Sequence, residues 1–427
     1  MSILKALADV RPLRTSAPFR RLWIGTTLAT MAGQLASVAV LFQAWEISHS
    51  PIATGAVGLS KALPMVLLGI VGGSLADAMD RRKLVLATTM GQILAAVLLA
   101  GQAFAGIESL ALLLALVGVQ SSCAALGAPA RRTFAVRLLP TEQVSAGAAL
   151  SAFGFQASLL ISPALAGLVI AQADVTICYA VHAVMMLAAL YGVVRLPAMP
   201  PLGDITKPGI RTISQGWRFV LDRPTLHGSL LTDLIATLTA MPFALLPMVV
   251  DERFGGDPQM LGFLMSAFGV GGIGVGALSG LITRANRPGL VMLGAATLWG
   301  VALAGFGFAH TAWLALGCLV VAGAADSVSV ISRSAIVQLA TPDSYRGRVS
   351  SVELVIGAAV PDIGNFRGGV VAGLTSASFS LVSGGVLCAV LVLAVAATNR
   401  PLRRFTLADA ESEADSEPSG THAVPAD

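Results

Sequence analysis

Six ionisable residues fall inside apolar stretches: Lys61, Asp233, Asp326, Glu353, Asp362 and Arg367. A charge near the centre of a membrane-spanning helix costs about 2.5–3.5 kcal/mol on insertion scales, so each marks a candidate site. Two kinds of chemistry suit such groups. Opposite charges on neighbouring helices can form an ion pair that fixes packing, or a carboxylate can take up a proton on one side and release it on the other. Asp326 and Arg333 are seven residues apart and share a helix face. Asp362 and Arg367 are five apart and diverge by about 140° on an ideal helix. They pair only if the helix unwinds after Pro361; otherwise each faces another span. A second constellation is "GGSLADAMDRRKLVL" (residues 72–86), where Asp77, Asp80, Arg81, Arg82 and Lys83 interrupt apolar sequence. A tight turn carrying both signs can make and break ion pairs with another part of the molecule, which is the chemistry of a gate. Bond-making chemistry finds no support. There is no phosphate-binding G-x-x-x-x-G-K-[ST], and the five histidines are scattered without ligand spacing. "GVGGIG" (Gly269, Gly271, Gly274) lies within an apolar span, where it serves packing and not a nucleotide. No enzyme activity, cofactor or metal is expected.

The elements that position these residues follow from composition. The chain has 427 residues, 55% of them apolar and 12% charged, and its mean hydropathy is +0.80. A soluble domain is about 25% charged, so this is a helical membrane protein. Hydropathy predicts twelve spans: 22–46, 52–76, 84–105, 109–130, 143–171, 175–194, 226–250, 259–282, 289–309, 312–332, 350–375 and 378–398. With the N-terminus inside, 24 of the 27 Lys and Arg fall in cytoplasmic segments. That asymmetry predicts two cytoplasmic termini. The predicted organisation is a cytoplasmic N-terminus (1–21), a six-helix bundle (22–194), a cytoplasmic linker (195–225), a second six-helix bundle (226–398) and a disordered acidic tail (399–427). Within the linker, Ile213, Trp217, Phe219, Val220 and Leu221 predict an amphipathic helix along the inner membrane surface.

The two bundles look like copies. Aligning 51–77 with 258–284 superposes Pro51 on Pro258, Gly55 on Gly262, Gly69 on Gly276 and Gly73 on Gly280. An offset of 202 places Arg131 on Arg333, Pro140 on Pro342 and Gly167 on Gly369. Near-constant offsets in equivalent spans predict a duplicated six-helix unit.

The turn between spans two and three resembles the signature of the major facilitator superfamily, G-x-x-x-D-(R/K)-x-G-(R/K)-(R/K), through Gly73, Asp77, Arg81 and Arg82. It departs at Ala78 and Asp80, which replace a basic residue and a glycine. "PARRTFAVRLLPTEQVSAGAAL" and "TPDSYRGRVSSVE" further resemble the drug and siderophore exporter branch, which includes macrolide efflux proteins and the enterobactin exporter. The resemblance implies an all-α fold of 12 transmembrane helices in two pseudo-twofold-related bundles. It also implies a cytoplasmic gate in which Asp77 meets Arg131 or Arg132 and the backbone near Arg346, Arg348 and Val349. The second-half copy, "GLITRANRPG", keeps Gly280 and Arg284 but has no acid. In span five, Gly154, Ser158, Ser162, Pro163, Ala166 and Gly167 resemble the exporter motif G-x-x-x-G-P-x-x-G-G, softened at several positions. These small residues also suit ordinary close helix packing. Span four lacks the deep arginine of many proton-coupled exporters.

Gln34, Gln120 and Gln156 are candidate cavity residues, and the low charge of such a cavity suits apolar or amphipathic molecules. The expected function is secondary active export of drug- or siderophore-like compounds by alternating access, driven by the proton gradient. The alternative is an importer or facilitator of a small metabolite on the same scaffold. The expected partners are a small-molecule substrate and the bilayer, with no nucleic acid, and the protein is expected to act as a monomer.

Overall fold

In a bilayer every backbone polar group must be satisfied within its own segment, so long apolar segments become helices and breaks fall at proline and polar turns. The computed structural model describes residues 9–200, 210–277, 280, 282, 285–342 and 345–406. The long helices are α1 (Ala17–Ser48), α2 (Pro51–Ala78), α3 (Arg81–Phe104), α4 (Leu110–Arg132), α5 (Thr141–Gln172) and α6 (Val175–Val194) in the first half. The second half has α7 in two pieces (Pro224–Ala240 and Leu246–Phe254), then α8 (Pro258–Ala277), α9 (Pro288–Gly307), α10 (Ala312–Leu339), α11 (Arg346–Leu374) and α12 (Ala377–Thr398). Proline opens α2, α7, α8 and α9, where its missing N–H costs nothing. Ser16, Ser109 and Ser376 cap α1, α4 and α12 by accepting from Phe19, Leu112 and Phe379 N–H.

Eleven helices among the described residues are long and apolar enough to cross a membrane. The twelfth is α11. At 29 residues it is about 43 Å long, but Arg346, Arg348, Glu353, Asp362 and Arg367 lower its hydropathy. A polar spanning helix must turn its charges inward, and α11 is wedged between α2 and α7.

The packing repeats between the halves. In the first, α1 packs on α5 and α6, α2 on α4, and α3 on α4 and α6. In the second, α7 packs on α11 and α12, α8 on α10, and α9 on α10 and α12. Adding six to each number of the first set produces the second, which is the pseudo-twofold. The main seams between the halves, α2 with α11 and α5 with α8, exchange under the same rule.

Glycines permit both seams. A Cβ on Gly262 would strike the Pro163 carbonyl, and its Cα lies 3.1 Å from where a Cβ on Gly167 would sit. On the other seam a Cβ on Gly369 would strike the Pro51 carbonyl and crowd Gly55. Ser266 Oγ also accepts the Ala164 N–H across the first seam at 2.9 Å. These contacts all lie on the side away from the termini. Towards the termini, Gly69 and Gly73 of α2 and Gly276 of α8 have open space where a Cβ would go. The halves are therefore closed on the far side and separated on the terminal side.

Two sequence expectations are revised. Span seven is not continuous: α7 breaks after Ala240, passes Pro242, and turns through a 3-10 segment at Phe243–Leu245. The linker helix exists (Ile210–Leu221), but it packs on α11 and α7. Val220 is buried there, Gly216 lies against the Arg348 backbone, and Phe219 stacks on Tyr345 at 4.2 Å between centroids. Its apolar residues thus cover protein. Ile213 has no described side chain, and Arg284, residues 201–209 and residues 407–427 lie outside the described residues.

Candidate functional site

Between the halves lie two adjoining chambers of about 230 and 280 Å³. Both halves wall them. Gln34 and Ser37 of α1 and Lys61 of α2 face Met241, Phe243, Met265, Asp362 and Asn365. The second chamber extends to Gln92 and Gln120 and shares Ser37, Lys61 and Asp362 with the first. The polar groups are few and fixed against apolar walls, the usual composition of a small-molecule pocket.

Helix geometry explains where each charge stands. Lys61 projects from α2 and donates to Ser37 Oγ on α1 at 3.1 Å. Asp362 faces it from α11 and interacts with it electrostatically without closing an ion pair. Arg367 turns elsewhere and donates to the Thr239 carbonyl at the break of α7. Helix α11 runs unbroken through Pro361, so Asp362 and Arg367 each face another span. Asn365 Oδ1 accepts the Ala244 N–H at 3.1 Å. Two side chains of α11 thus serve backbone groups that the break exposes, as the hydrocarbon environment requires.

A second set of charges sits within the second half. Arg333 of α10 pairs with Asp233 of α7 and, at 3.7 Å, with Glu353 of α11. Asp326, two turns away on the Arg333 face, interacts with Asp233 and Arg333 without an ion pair of its own. Three carboxylates from three helices converge on one guanidinium. The pairing of Arg333 with Asp233 was not legible from spacing, because these residues meet across 100 positions of sequence.

The gate residues occupy the terminal side. Asp77 is paired with Arg81 at 3.4 Å and is 41% exposed. Arg131 lies against Gly127 and Thr88, its Nε and Nη2 buried without hydrogen-bond partners. Arg132 and Arg346 are exposed, and Arg348 stacks on Tyr345 at 4.8 Å. Among the described residues Asp77 therefore pairs with Arg81 and not with Arg131 or Arg132 in this arrangement. Asp80 has a different task. It caps α3 through Arg82 and Lys83 N–H, and its Oδ2 accepts the Met199 N–H at 3.1 Å. The Arg81 N–H bonds the Met199 carbonyl, and Arg82 bonds that of Val194. The departure from glycine at Asp80 ties the start of the linker to the first half.

In α5, Pro163, Ala166 and Gly167 are buried, and Pro163 and Gly167 form the seam with α8. Ser158 and Ser162 are also buried; Ser158 Oγ donates to Gly154 O at 2.7 Å, and Gly154 lies against Thr27. The motif therefore spans two contacts, one to α1 and one to the other half. Gln120 meets His182 Nε2 at 3.2 Å. Gln156 faces Gly272 of α8 and does not line the two chambers.

Comparison with known proteins agrees with this architecture. The family model of transmembrane secretion effectors matches residues 7–424. The enterobactin exporter EntS of Escherichia coli O1:K1 / APEC is 28% identical over 351 residues, covering 81% of this chain and 83% of the relative; EntS of Shigella boydii serotype 18 gives the same figures. Among solved structures, a mutant of the nucleoside transporter NupG superposes with a TM-score of 0.71 at 14% identity, over 89% of this chain and 99% of that one. A bacterial homologue of the iron transporter ferroportin in an inward-facing state has a TM-score of 0.67 at 16% identity, over 95% and 100% of the two chains. This chain belongs to the transmembrane secretion effector family of the major facilitator superfamily and is a multi-pass membrane transporter.

Proposed function

We propose that this protein exports small organic molecules across a bacterial inner membrane by alternating access, driven by inward movement of protons. It acts as a monomer with both termini cytoplasmic. The observation that carries this reading is the one-sided closure around a cavity walled by both halves. Glycine seams hold the far side shut, while the equivalent small-residue faces of α2 and α8 stand unpacked towards the termini. Rocking about the cavity would exchange the two conditions. In the exchanged state Asp77 would leave Arg81 for Arg131, whose buried nitrogens lack partners, and for the start of α11.

The similarity to EntS supports export of siderophore- or drug-sized compounds. For the proton, the cluster of Asp233, Asp326 and Glu353 around Arg333 supports the reading. One guanidinium leaves part of that negative charge uncompensated in a medium where charge is costly, and a bound proton removes it. The test measures accumulation of labelled siderophores and drugs in efflux-deficient cells with and without the protein. Lower accumulation that a protonophore restores is expected. Higher accumulation in cells carrying the protein would overturn export in favour of uptake.

A further inference from the structure

Lys61 and Asp362 are the charged residues on the walls of the two chambers, and they come from opposite halves. Their backbones are brought together by the α2–α11 seam. A Cβ on Gly58, one turn before Lys61, would strike the Asp362 carbonyl. Despite this approach the pair does not close. Lys61 spends one donor on Ser37 and keeps two. Asp362 has Asn365 beside it, and a carboxylate has about four acceptor positions. Both groups thus keep hydrogen-bonding capacity, and each borders the same open space. The surrounding wall is apolar: Leu41, Val57, Met241, Phe243 and Met265. A molecule of one charge would satisfy one pole and meet repulsion at the other. A molecule carrying both charges would satisfy both, and its apolar part would take the remaining wall.

We propose that Lys61 and Asp362 form the two poles of a substrate site for zwitterionic amphiphiles, binding an acid group at Lys61 and Ser37 and an amine at Asp362, whose carboxylate Asn365 holds in place. The proposal rests on the transporter reading and adds the class of substrate. It also couples recognition to movement, because such a ligand bridges the two halves beside the seam that must open.

The test uses the full chain in lipid nanodiscs and three fluorescent probes on one scaffold: naphthylalanine, its methyl ester (amine only) and its N-acetyl form (acid only). Each charge-assisted contact is worth about tenfold in affinity. The zwitterion is therefore expected to bind at least tenfold tighter than either mono-charged form. Lys61→Gln should erase its advantage over the ester, and Asp362→Asn its advantage over the N-acetyl form. A purely structural pair would instead weaken all three probes together. The exchanged double variant, Lys61→Asp with Asp362→Lys, keeps both poles and should keep the preference for the zwitterion. Equal binding of zwitterion and acid, equal binding of zwitterion and ester, or no binding of the zwitterion would overturn the proposal. Binding is read without transport, so a failed cellular efflux assay leaves this result intact. Protonophore-sensitive efflux with no zwitterion preference would sink the proposal alone.

Discussion

At the residue scale two of the molecule's charge systems have contrary duties. Asp77 sits on Arg81 in a half-exposed pair at 3.4 Å, and an exposed pair of this kind is worth less than about 1 kcal/mol. Asp77→Asn should therefore leave folding untouched. If the aspartate latches the opposite conformation, the same change should cut export roughly tenfold, the effect of about 1.4 kcal/mol. Drug accumulation at matched expression reads this; wild-type efflux from the variant would remove Asp77 from the gate. Arg333 is the contrary case, 9% exposed and shared between two carboxylates. Removing one side of a buried pair costs about 3–5 kcal/mol, because the partner charge stays behind. Arg333→Met should lower the melting temperature of the purified protein well below that of Asp233→Asn, which leaves no uncompensated charge of its own. Equal melting temperatures for the two variants would show that the cluster is solvated. The sequence marks all these residues as costly charges, but their partners depend on helix faces set by tertiary packing. Spacing placed Asp326 and Arg333 on one face, yet Asp233, 100 residues away, takes the arginine.

At the scale of elements, the repeat was legible because glycines are the contacts. The matched positions Gly55 with Gly262 and Gly167 with Gly369 turn out to be the two seams, each glycine of one match meeting one of the other. Pro242 is the local mark of the break in α7, but hydropathy runs a single span across it. Its repair by Asn365 and Arg367 was not legible, since an acceptor and a donor 121 and 128 residues away leave no local trace. The seams also yield a prediction with opposite signs. A side chain at Gly369 collides with the Pro51 backbone, whereas one at Gly73 meets open space. Gly369→Val should drive the population away from the far-side-closed state, and Gly73→Val should hold it there. Spin labels at Met79 and Leu339, both exposed on the terminal side, in a cysteine-free background would read the distance. Gly369→Val is expected to shift the populations roughly tenfold towards the shorter distance. The same shift from both variants would rule out a rocking mechanism about these seams.

At the scale of the whole molecule, charge distribution sets how the two halves lie in the membrane. Lys and Arg orient a polytopic chain while Asp and Glu contribute little, and 24 of the 27 fall in the segments that hydropathy reads as lying on the side of the termini. Lys61 and Arg367 lie in spans and are used by the cavity and the α7 break. The remaining exception is Arg253, at the end of α7 on the far side. It donates to the carbonyls of Phe306, Gly307 and Ala309 and to Ser378 Oγ, tying α7 to the turn after α9 and the start of α12. Its charge is consumed in closing the second half. Alkaline phosphatase fused after Gly106 or Gly255 should accordingly be active, and after Met199 or Phe405 inactive. Arg253→Leu should leave that pattern unchanged while lowering thermal stability, since several carbonyls lose a charged donor worth about 1.5–3 kcal/mol. Activity from the Phe405 fusion would place the termini outside. The cavity would then open outward in this conformation.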